Sequence, residues 1–317
     1  MIKMNIVFAY PTGLNPQKGG VERITDIIAK ILLKRGYTIF YLNWKREQDN
    51  YEYPVPVIDL PSSNLEDPNN LEVYNRFLKE NRIDVIINQH GLYEGTYFLS
   101  QVKVQNVKII SVLHSDPFGY YNHLFADLMT LRDSSIKEKV KRVARFFLYR
   151  KVKKIIHRSL VNHYTFIQEH PQYVCLLSES YKERLEEYCD LPDNYFISIP
   201  NPNTYENIEI IPHKEPILLF VGRLDNRSKK LFTLIDIWYR LCKLYPQWKL
   251  IIVGDGPDKD VLINKAKDIS NIEFKGYQDP REYYEKASIF CMTSIFEGFP
   301  MCLTEAMQFG CVPIAFD

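Results

Sequence analysis

Two carboxylates close the chain's most informative stretch, Glu297 and Glu305 in EGFPMCLTE. Glu297 and Gly298 come just behind the apolar run SIFCMTS, so they belong at the carboxyl end of a strand. Pro300 suits the first turn of a helix, where its fixed φ and missing N–H cost nothing. The free N–H groups of such a helix start form a site for a phosphate oxygen. Glu305 lies five residues further along, about 7–8 Å by helix rise. Carboxylates accept hydrogen bonds from vicinal hydroxyls, so this spacing suits a sugar on one side of a diphosphate and a nucleoside on the other. Taken alone, either glutamate reads as a helix cap or a solvated side chain.

A second cluster, VGRLDNRSKK at 221–230, supplies the opposite charge. Arg223 falls just past the strand PILLFVG and Lys229 opens the next helix. A guanidinium fork and an ammonium at one sheet edge can neutralise a diphosphate; in isolation such a loop is a solvated turn. In the first half, Gly19 and Gly20 precede a helix, where glycine lets backbone N–H groups approach an anion without a Cβ in the way, or simply makes a flexible turn. His114 ends the strand KIISVLH and Asp116 follows two residues later, within reach to orient an imidazole or touch an acceptor. His90, ending DVIINQH, reads as structural before it reads as a cleft residue, and Ser178, before Glu179, as a helix N-cap or a residue beside the cleft.

These residues need elements to hold them. Strand and helix signals alternate throughout. The run MNIVFAY leads to VERITDIIAKILLKRG, where Ile24, Ile27, Ile28, Ile31 and Leu32 recur at helical spacing and Gly36 supplies the stop. The runs TIFYLN, DVIINQ, KIISVLH and YVCLLS are Val/Ile-rich rather than alternating, as strands of a parallel sheet covered on both faces are; the helix ESYKERLEEYC follows them. Residues 199–216 hold four prolines and little periodicity and read as a linker. Beyond it the alternation restarts with PILLFVGRL, KLFTLIDIWYRLCKLY, WKLIIVGDG, PDKDVLINKAKD, IEFKGY, SIFCMTS and VPIAFD. The expected fold is α/β, two Rossmann-like doubly wound domains with a cleft between them at the carboxyl ends of the strands: 1–200, a linker at 201–216, and 217–317.

Composition bounds the function. The chain has 317 residues, 46% hydrophobic and 25% charged, with a net charge of +1. That is a folded protein long enough for two cores, with no global bias toward nucleic acid. Its six cysteines (Cys175, Cys189, Cys242, Cys291, Cys302, Cys311) form no CxxC pair, which favours reduced thiols in a cytosol. No signal peptide and no apolar stretch of about 20 residues is present, so a cytoplasmic or membrane-surface location is expected. Residues 137–158 carry ten Lys or Arg against one Glu, interleaved with Val140, Phe146, Phe147, Val152, Ile155 and Ile156. This predicts an amphipathic basic helix or helix pair, either a solvated face or a contact for an anionic membrane surface. No nucleic-acid motif accompanies it.

Together IPNPN, VGRL…K, the GDGP turn (Gly254 to Pro257) and E-x7-E, in this order and with GGVER and SVLH upstream, resemble the family-4 glycosyltransferases, retaining enzymes of the GT-B fold. The motifs in register carry the resemblance; E-x7-E alone is a weak pattern. The resemblance implies transfer of a hexosyl residue from a nucleotide-diphosphate sugar (UDP- or GDP-hexose) to a glycan or lipid-linked acceptor in cell-surface polysaccharide or lipopolysaccharide synthesis. It implies Arg223, Lys229, Gly20 and the amides of Gly298 and Phe299 at the donor diphosphate, Glu297 at the transferred sugar and Glu305 at the ribose. It also implies His114 near the reacting sugar, with Gly19 and Asp116 on the acceptor side. Glu22 and Arg23 match the pattern and equally orient the helix; Lys230 stands where many relatives have Gly. The resemblance implies no cofactor and no metal, and no D-x-D triad follows a strand, Asp255, Asp258 and Asp260 lying around a turn and a helix start. Front-side transfer follows, with the leaving diphosphate taking the acceptor proton. A non-catalytic nucleotide-sugar binder is the alternative. Family members continue past VPIAFD, so the second domain is expected to be incomplete at its C-terminus.

Overall fold

The computed structural model describes residues 3–45, 50–91, 94–129, 136–170, 172–187, 192–206, 208–295 and 297–316. The chain divides into two compact units, Met1–Pro117 with Lys154–Pro202, and Phe118–Lys153 with Asn203–Asp317.

The first sheet is built from β1 (Asn5–Tyr10), β2 (Thr38–Asn43), β3 (Val57–Asp59), β4 (Val85–Asn88), β5 (Lys108–Leu113), β6 (Tyr173–Leu176) and β7 (Phe196–Ser198). The helices α1 (Gly20–Lys34), α2 (Pro68–Glu80), α3 (Glu94–Leu99), α4 (Gly119–Asn122), α5 (Leu124–Met129), α6 (Ile136–Glu169) and α7 (Ser180–Glu186) intervene. Strand order is β3-β2-β1-β4-β5-β6-β7, every pairing parallel. Both faces are covered: Val7 and Ala9 of β1 pack with Trp44, Tyr74 and Phe98, whereas Ile6 and Phe8 pack with Ala29, Ile39 and Tyr41. A strand buried on both sides must be apolar at every position, and this is why the sequence reads as unbroken runs.

The second sheet holds β8 (Glu215–Val221), β9 (Lys249–Val253), β10 (Ile272–Gly276), β11 (Ala287–Met292) and β12 (Val312–Ala315), in the order β10-β9-β8-β11-β12 and again parallel. Its helices are α8 (Asn226–Lys229), α9 (Leu231–Leu244), α10 (Lys259–Ala266), α11 (Arg281–Lys286) and α12 (Met301–Gln308). Leu231, Leu234, Ile235, Trp238 and Cys242 form the buried stripe of α9 at spacings of three and four. They face Leu218, Phe220, Leu250 and Ile252, while Ile217, Leu219, Ile251 and Val253 turn to Tyr284, Phe290 and Phe309 on the other face.

In each sheet the chain starts in the middle, winds outward one way, then returns and winds the other. The reversal points are β1/β4 and β8/β11. Loops leaving adjacent strands to opposite sides open a crevice there, the usual ligand position in an open α/β sheet.

Local signals place the helix ends. α1 stops where Gly36 (φ +86°) takes the left-handed conformation, with Tyr37 N–H donating to Leu32 O and Gly36 N–H to Leu33 O. Ile31, expected on the buried stripe, is exposed. The basic segment is one continuous helix, α6, rather than a pair. Its apolar residues are not gathered onto one covered face. Leu160, Tyr164 and Ile167 are buried, whereas Val140, Val143, Phe146, Phe147, Leu148 and Ile155 are exposed among the lysines and arginines, Phe147 by 77%. Among the described residues no helix is long and apolar enough to cross a membrane. Cys175, Cys242, Cys291, Cys302 and Cys311 are free thiols, and Cys189 lies outside the described residues.

Candidate functional site

At the β8/β11 reversal the loop after β8 is fixed by backbone contact with the GDGP turn. Leu224 N–H donates to Asp255 O and Asp258 N–H returns to Leu224 O. Glycine is required for this approach: a Cβ on Gly254 would stand 2.0 Å from Gly222 O, and one on Gly256 2.6 Å from Leu224 O. Asp258 carries a structural duty, accepting from Asn226 N–H at 2.7 Å. Asp255 takes Gly256 N–H and the Lys259 ammonium, chiefly the latter holding its carboxyl below the usual range.

Asp225 caps α8 by accepting from Arg227 N–H, and buried Asn226 accepts from Phe232 N–H, so the short turn is stapled to α9. Lys230 links the two helices in the left-handed conformation, φ 50° and ψ 41°. That geometry favours glycine, and Lys230 adopts it at some cost. Thr293 hydroxyl donates to Lys229 O at 2.7 Å and Ile295 N–H to Ser228 O at 3.0 Å, pinning the loop after β11 against α8. This brings Glu297 and Lys229 together in an ion pair, each side chain 21% exposed. Arg223 is exposed at the same edge.

The helix after this loop begins one residue later than expected. Pro300 is its N-cap in extended conformation (φ −70°, ψ 109°), its carbonyl accepting from Leu303 N–H, and α12 starts at Met301. Glu305 sits on the inner side of α12, 2% exposed, and accepts from the Tyr284 hydroxyl at 3.0 Å. Burial, and then the Glu305 charge, pushes that phenol far above its ordinary range. Burial also lifts the Cys302 thiol to about 12, with Glu297 and Glu305 adding to the shift and Lys229 opposing it. One further residue braces this end. The Lys214 ammonium donates to Tyr284 O (3.0 Å), Glu285 O (2.6 Å) and Phe309 O (2.6 Å), closing the C-terminal ends of α11 and α12 together.

At the β1/β4 reversal of the first unit lies a cavity of about 140 Å³, lined by Tyr10, Val21, Gln89, His90, Gly91 and His114 among others. Burial lowers the His114 pKa to about 4, and its Nε2 is 2.6 Å from Gln89 Oε1. His90, the weaker cleft candidate, shares this wall, and burial lowers its pKa as well. The phenol of Tyr10 is raised to about 12 by burial and then by the Glu22 charge. Gly20 is the first residue of α1 and Gly19 its extended N-cap. A Cβ on Gly19 would stand 2.6 Å from Glu22 Oε2, so the missing side chain makes room for that carboxylate over the helix start.

The imidazole is therefore oriented by Gln89 rather than by Asp116, which pairs with Arg184 of α7 at 3.1 Å. Ser178 lies one residue ahead of the α7 N-cap, Glu179, its hydroxyl 2.9 Å from that of Ser180. Motif reading passed over Gln89, Asn226, Thr293, Tyr284 and Lys214. Gln89 stood next to a noted histidine, and Asn226 and Thr293 lay inside or beside noted loops. Tyr284 and Lys214 carry no local signal, because their partners lie 21 to 95 positions away.

Residues 203–317 match the family described as Glycosyl transferases group 1. A Haemophilus influenzae protein described as an uncharacterized glycosyltransferase is 36% identical over 129 residues, 39% of this chain and 36% of that protein. The Erwinia amylovora amylovoran biosynthesis glycosyltransferase AmsD is 34% identical over 153 residues, 45% of this chain and 43% of its own length. These matches span less than half of the curated relatives. Among solved structures, the apo form of the lipopolysaccharide outer core galactosyltransferase WaaB aligns with 98% of this chain and 80% of its own at 17% identity and a TM-score of 0.62. A mutant of S. aureus TarM, in complex with Fondaparinux, alpha-GlcNAc-glycerol and UDP, aligns over 99% and 86% at 13% identity and a TM-score of 0.69. Residues 203–317 thus resemble a glycosyl transferases group 1 domain, and the two parallel-sheet units have the GT-B fold.

Proposed function

We propose that this chain transfers a hexosyl residue from a nucleotide-diphosphate sugar to a glycan or lipid-linked acceptor, with retention of configuration and without a metal ion. The observation that carries this is the Lys229–Glu297 pair beside Arg223 at the β8/β11 reversal, within the matched domain. An anion-binding lysine next to a hydroxyl-binding carboxylate is what a sugar diphosphate requires. Arg223, Lys229 and the amides of Gly298 and Phe299 hold the diphosphate; Glu297 takes the sugar hydroxyls and Glu305 the ribose. Binding of the ribose at Glu305 displaces the Tyr284 hydroxyl or shares the carboxylate with it. Gly20 joins Arg223 and Lys229 at the diphosphate, and His114 serves the reacting sugar, with Gly19 and Asp116 on the acceptor side. The leaving diphosphate, held by the two cations, accepts the acceptor hydroxyl's proton as the new glycosidic bond forms on the same face. A relative of Campylobacter jejuni is named as acting on an undecaprenol-linked glycan, which favours a lipid-linked acceptor. The exposed apolar and basic surface of α6 suits the anionic membrane on which such an acceptor resides.

A thermal-shift screen of UDP, GDP and ADP and their hexose derivatives tests the donor site, since a ligand of the native state raises stability by mass action. Arg223→Ala and Glu305→Ala are each expected to abolish the shift, and a full shift in both removes the assignment. Binding of nucleotide with neither donor hydrolysis nor transfer supports the non-catalytic alternative. Trapping of a glycosyl adduct on Glu297 or Asp116 overturns the front-side mechanism. Flotation with anionic liposomes tests the membrane contact, which absence of binding at low salt refutes.

A further inference from the structure

The hydrogen bond between His114 and Gln89 determines more than the direction of a ring. An amide oxygen carries no proton, so Gln89 Oε1 at 2.6 Å from Nε2 requires the hydrogen to lie on Nε2. Burial keeps this imidazole neutral at ordinary pH, with a single ring proton to place. Nδ1 is then the bare nitrogen, an acceptor.

Gln89 is held firmly through its backbone. It is 4% exposed, and its own N–H donates to Ala9 O at 2.9 Å, continuing the β1–β4 ladder past the end of β4. On one side of it stands Asn88, wholly buried, whose Oδ1 accepts from His90 N–H at 3.0 Å and so clamps the backbone around Gln89. Asn88 Nδ2 donates to the hydroxyls of Thr96 and Ser111, both at 3.1 Å. Ser111 hydroxyl donates to Gln172 Oε1 at 2.5 Å, and Gln172 Nε2 donates to Ser100 Oγ at 3.3 Å. Ser111 lies on β5, the strand that ends just before His114. A buried polar network therefore ties the end of β4 to β5 and sets how far Gln89 stands from the imidazole. Networks of this kind, with each member satisfied, rigidify the groups they join.

We propose that Gln89 is a positioning residue that holds His114 as the Nε2–H tautomer, leaving Nδ1 as the hydrogen-bond acceptor for a ligand hydroxyl at the cavity wall. The ligand class is an uncharged polyol. None of the six lining residues named above is a Lys, Arg, Asp or Glu, and their polar groups are amide, imidazole and phenol. The service this gives to catalysis rests on the transfer function proposed above; the tautomer does not.

Long-range proton–nitrogen correlation spectra of protein labelled with nitrogen-15 histidine read the tautomer directly, the His114 signals being assigned by their loss in His114→Gln. The wild-type protein is expected to show a protonated Nε2 and a bare Nδ1. Gln89→Leu is expected to release the ring into a mixture of tautomers, its two nitrogen shifts converging. Transfer kcat falls about tenfold in that variant, the worth of one orienting hydrogen bond, while nucleotide affinity is kept. Gln89→Glu retains an acceptor and restores both the tautomer and most of kcat. A wild-type ring protonated on Nδ1 overturns the proposal without recourse to any variant, since the Gln89 amide would then be donating. So does a Gln89→Leu protein whose tautomer is unchanged. A tautomer that responds as expected, in a protein that moves no sugar, upholds the positioning of the ring and refutes the transfer function alone.

Discussion

Neutralising Glu297 should tighten nucleotide binding while it weakens transfer. In the ligand-free protein the Lys229 ammonium is paired with the Glu297 carboxylate, both side chains 21% exposed. A diphosphate that takes Lys229 must draw it from that partner and settle beside a like charge. A partly exposed pair of this kind is worth about 1 kcal/mol. Glu297→Gln abolishes the competition, and at 1.4 kcal/mol per tenfold the affinity for free UDP, or whichever nucleoside diphosphate the screen selects, rises about fivefold. Relief of the carboxylate–phosphate repulsion adds to this gain in low salt, and screening removes the addition at high salt. The sugar loses its charged acceptor, so transfer falls by about a hundredfold, comparable to deleting one preorganised hydrogen-bond partner. Stability falls by no more than about 1 kcal/mol, because Thr293 and Ile295 still pin the loop to α8. Titration calorimetry with the free nucleotide at low and high salt, beside a transfer assay, measures both effects. Equal or weaker binding of the nucleotide to a folded Glu297→Gln protein refutes the reasoning, since Lys229 would then not be the group for which the two anions compete.

Three further outcomes follow from groups away from the proposed chemistry. Lys214→Met strips three carbonyls at two helix ends of a charged donor, and urea unfolding should show a loss of about 2 kcal/mol. Lys230→Gly relieves a side chain held at φ 50°, for a net gain of about 1 kcal/mol after the added freedom of the unfolded chain is counted, read by the same unfolding curves. The folded-state pKa of His114 is depressed to about 4, below the ordinary 6.5, so the unfolded chain binds the extra proton between these values. Stability from this group is therefore complete above pH 6.5 and is lost as pH falls toward 4, at up to about 1.4 kcal/mol per pH unit. Buried His163, also lowered to about 4, adds a similar slope and His90 adds to it, so His114→Gln should flatten the measured curve by less than half.

What could be read from the sequence follows from how far apart the interacting residues lie. β1, β5, β8 and β9 were legible because burial on both faces demands apolar runs, and α1 and α9 because their stripes repeat at three and four. Helix α2 escaped notice although its start is signalled: Asp67 caps it and Pro68 occupies its first turn. Its buried residues, Asn70, Tyr74, Phe77 and Leu78, include a polar one and break the apolar pattern. Asn70 is buried because its side chain closes the preceding loop through Ser62 and Asn64. Lys214 lies in the proline-rich stretch that reads as a linker, and only the fold reveals the helix ends it joins. In the same way, spacing placed Glu297 at a strand end and Lys229 at a helix start without showing that they meet. Nor does spacing distinguish an exposed apolar residue of α6 from a covered one, which depends on what lies opposite.

The two sheets also separate location from chemistry. Both reverse their winding beside their first strand, and in both the reversal carries the candidate site, so strand order alone accounts for where the sites are. Their chemistry differs because the loops differ. At β8/β11 the loop residues are Arg223, Lys229 and Glu297, whose charges invite an ionic ligand and make its binding sensitive to salt. At β1/β4 the histidines are kept neutral by burial and the polar groups are amide and phenol, which suits hydroxyls bound by directed hydrogen bonds. Salt should therefore weaken ligands of the second unit and leave those of the first nearly unaffected. A substitution that moved a lysine into the first cavity would change what binds there without changing why anything binds.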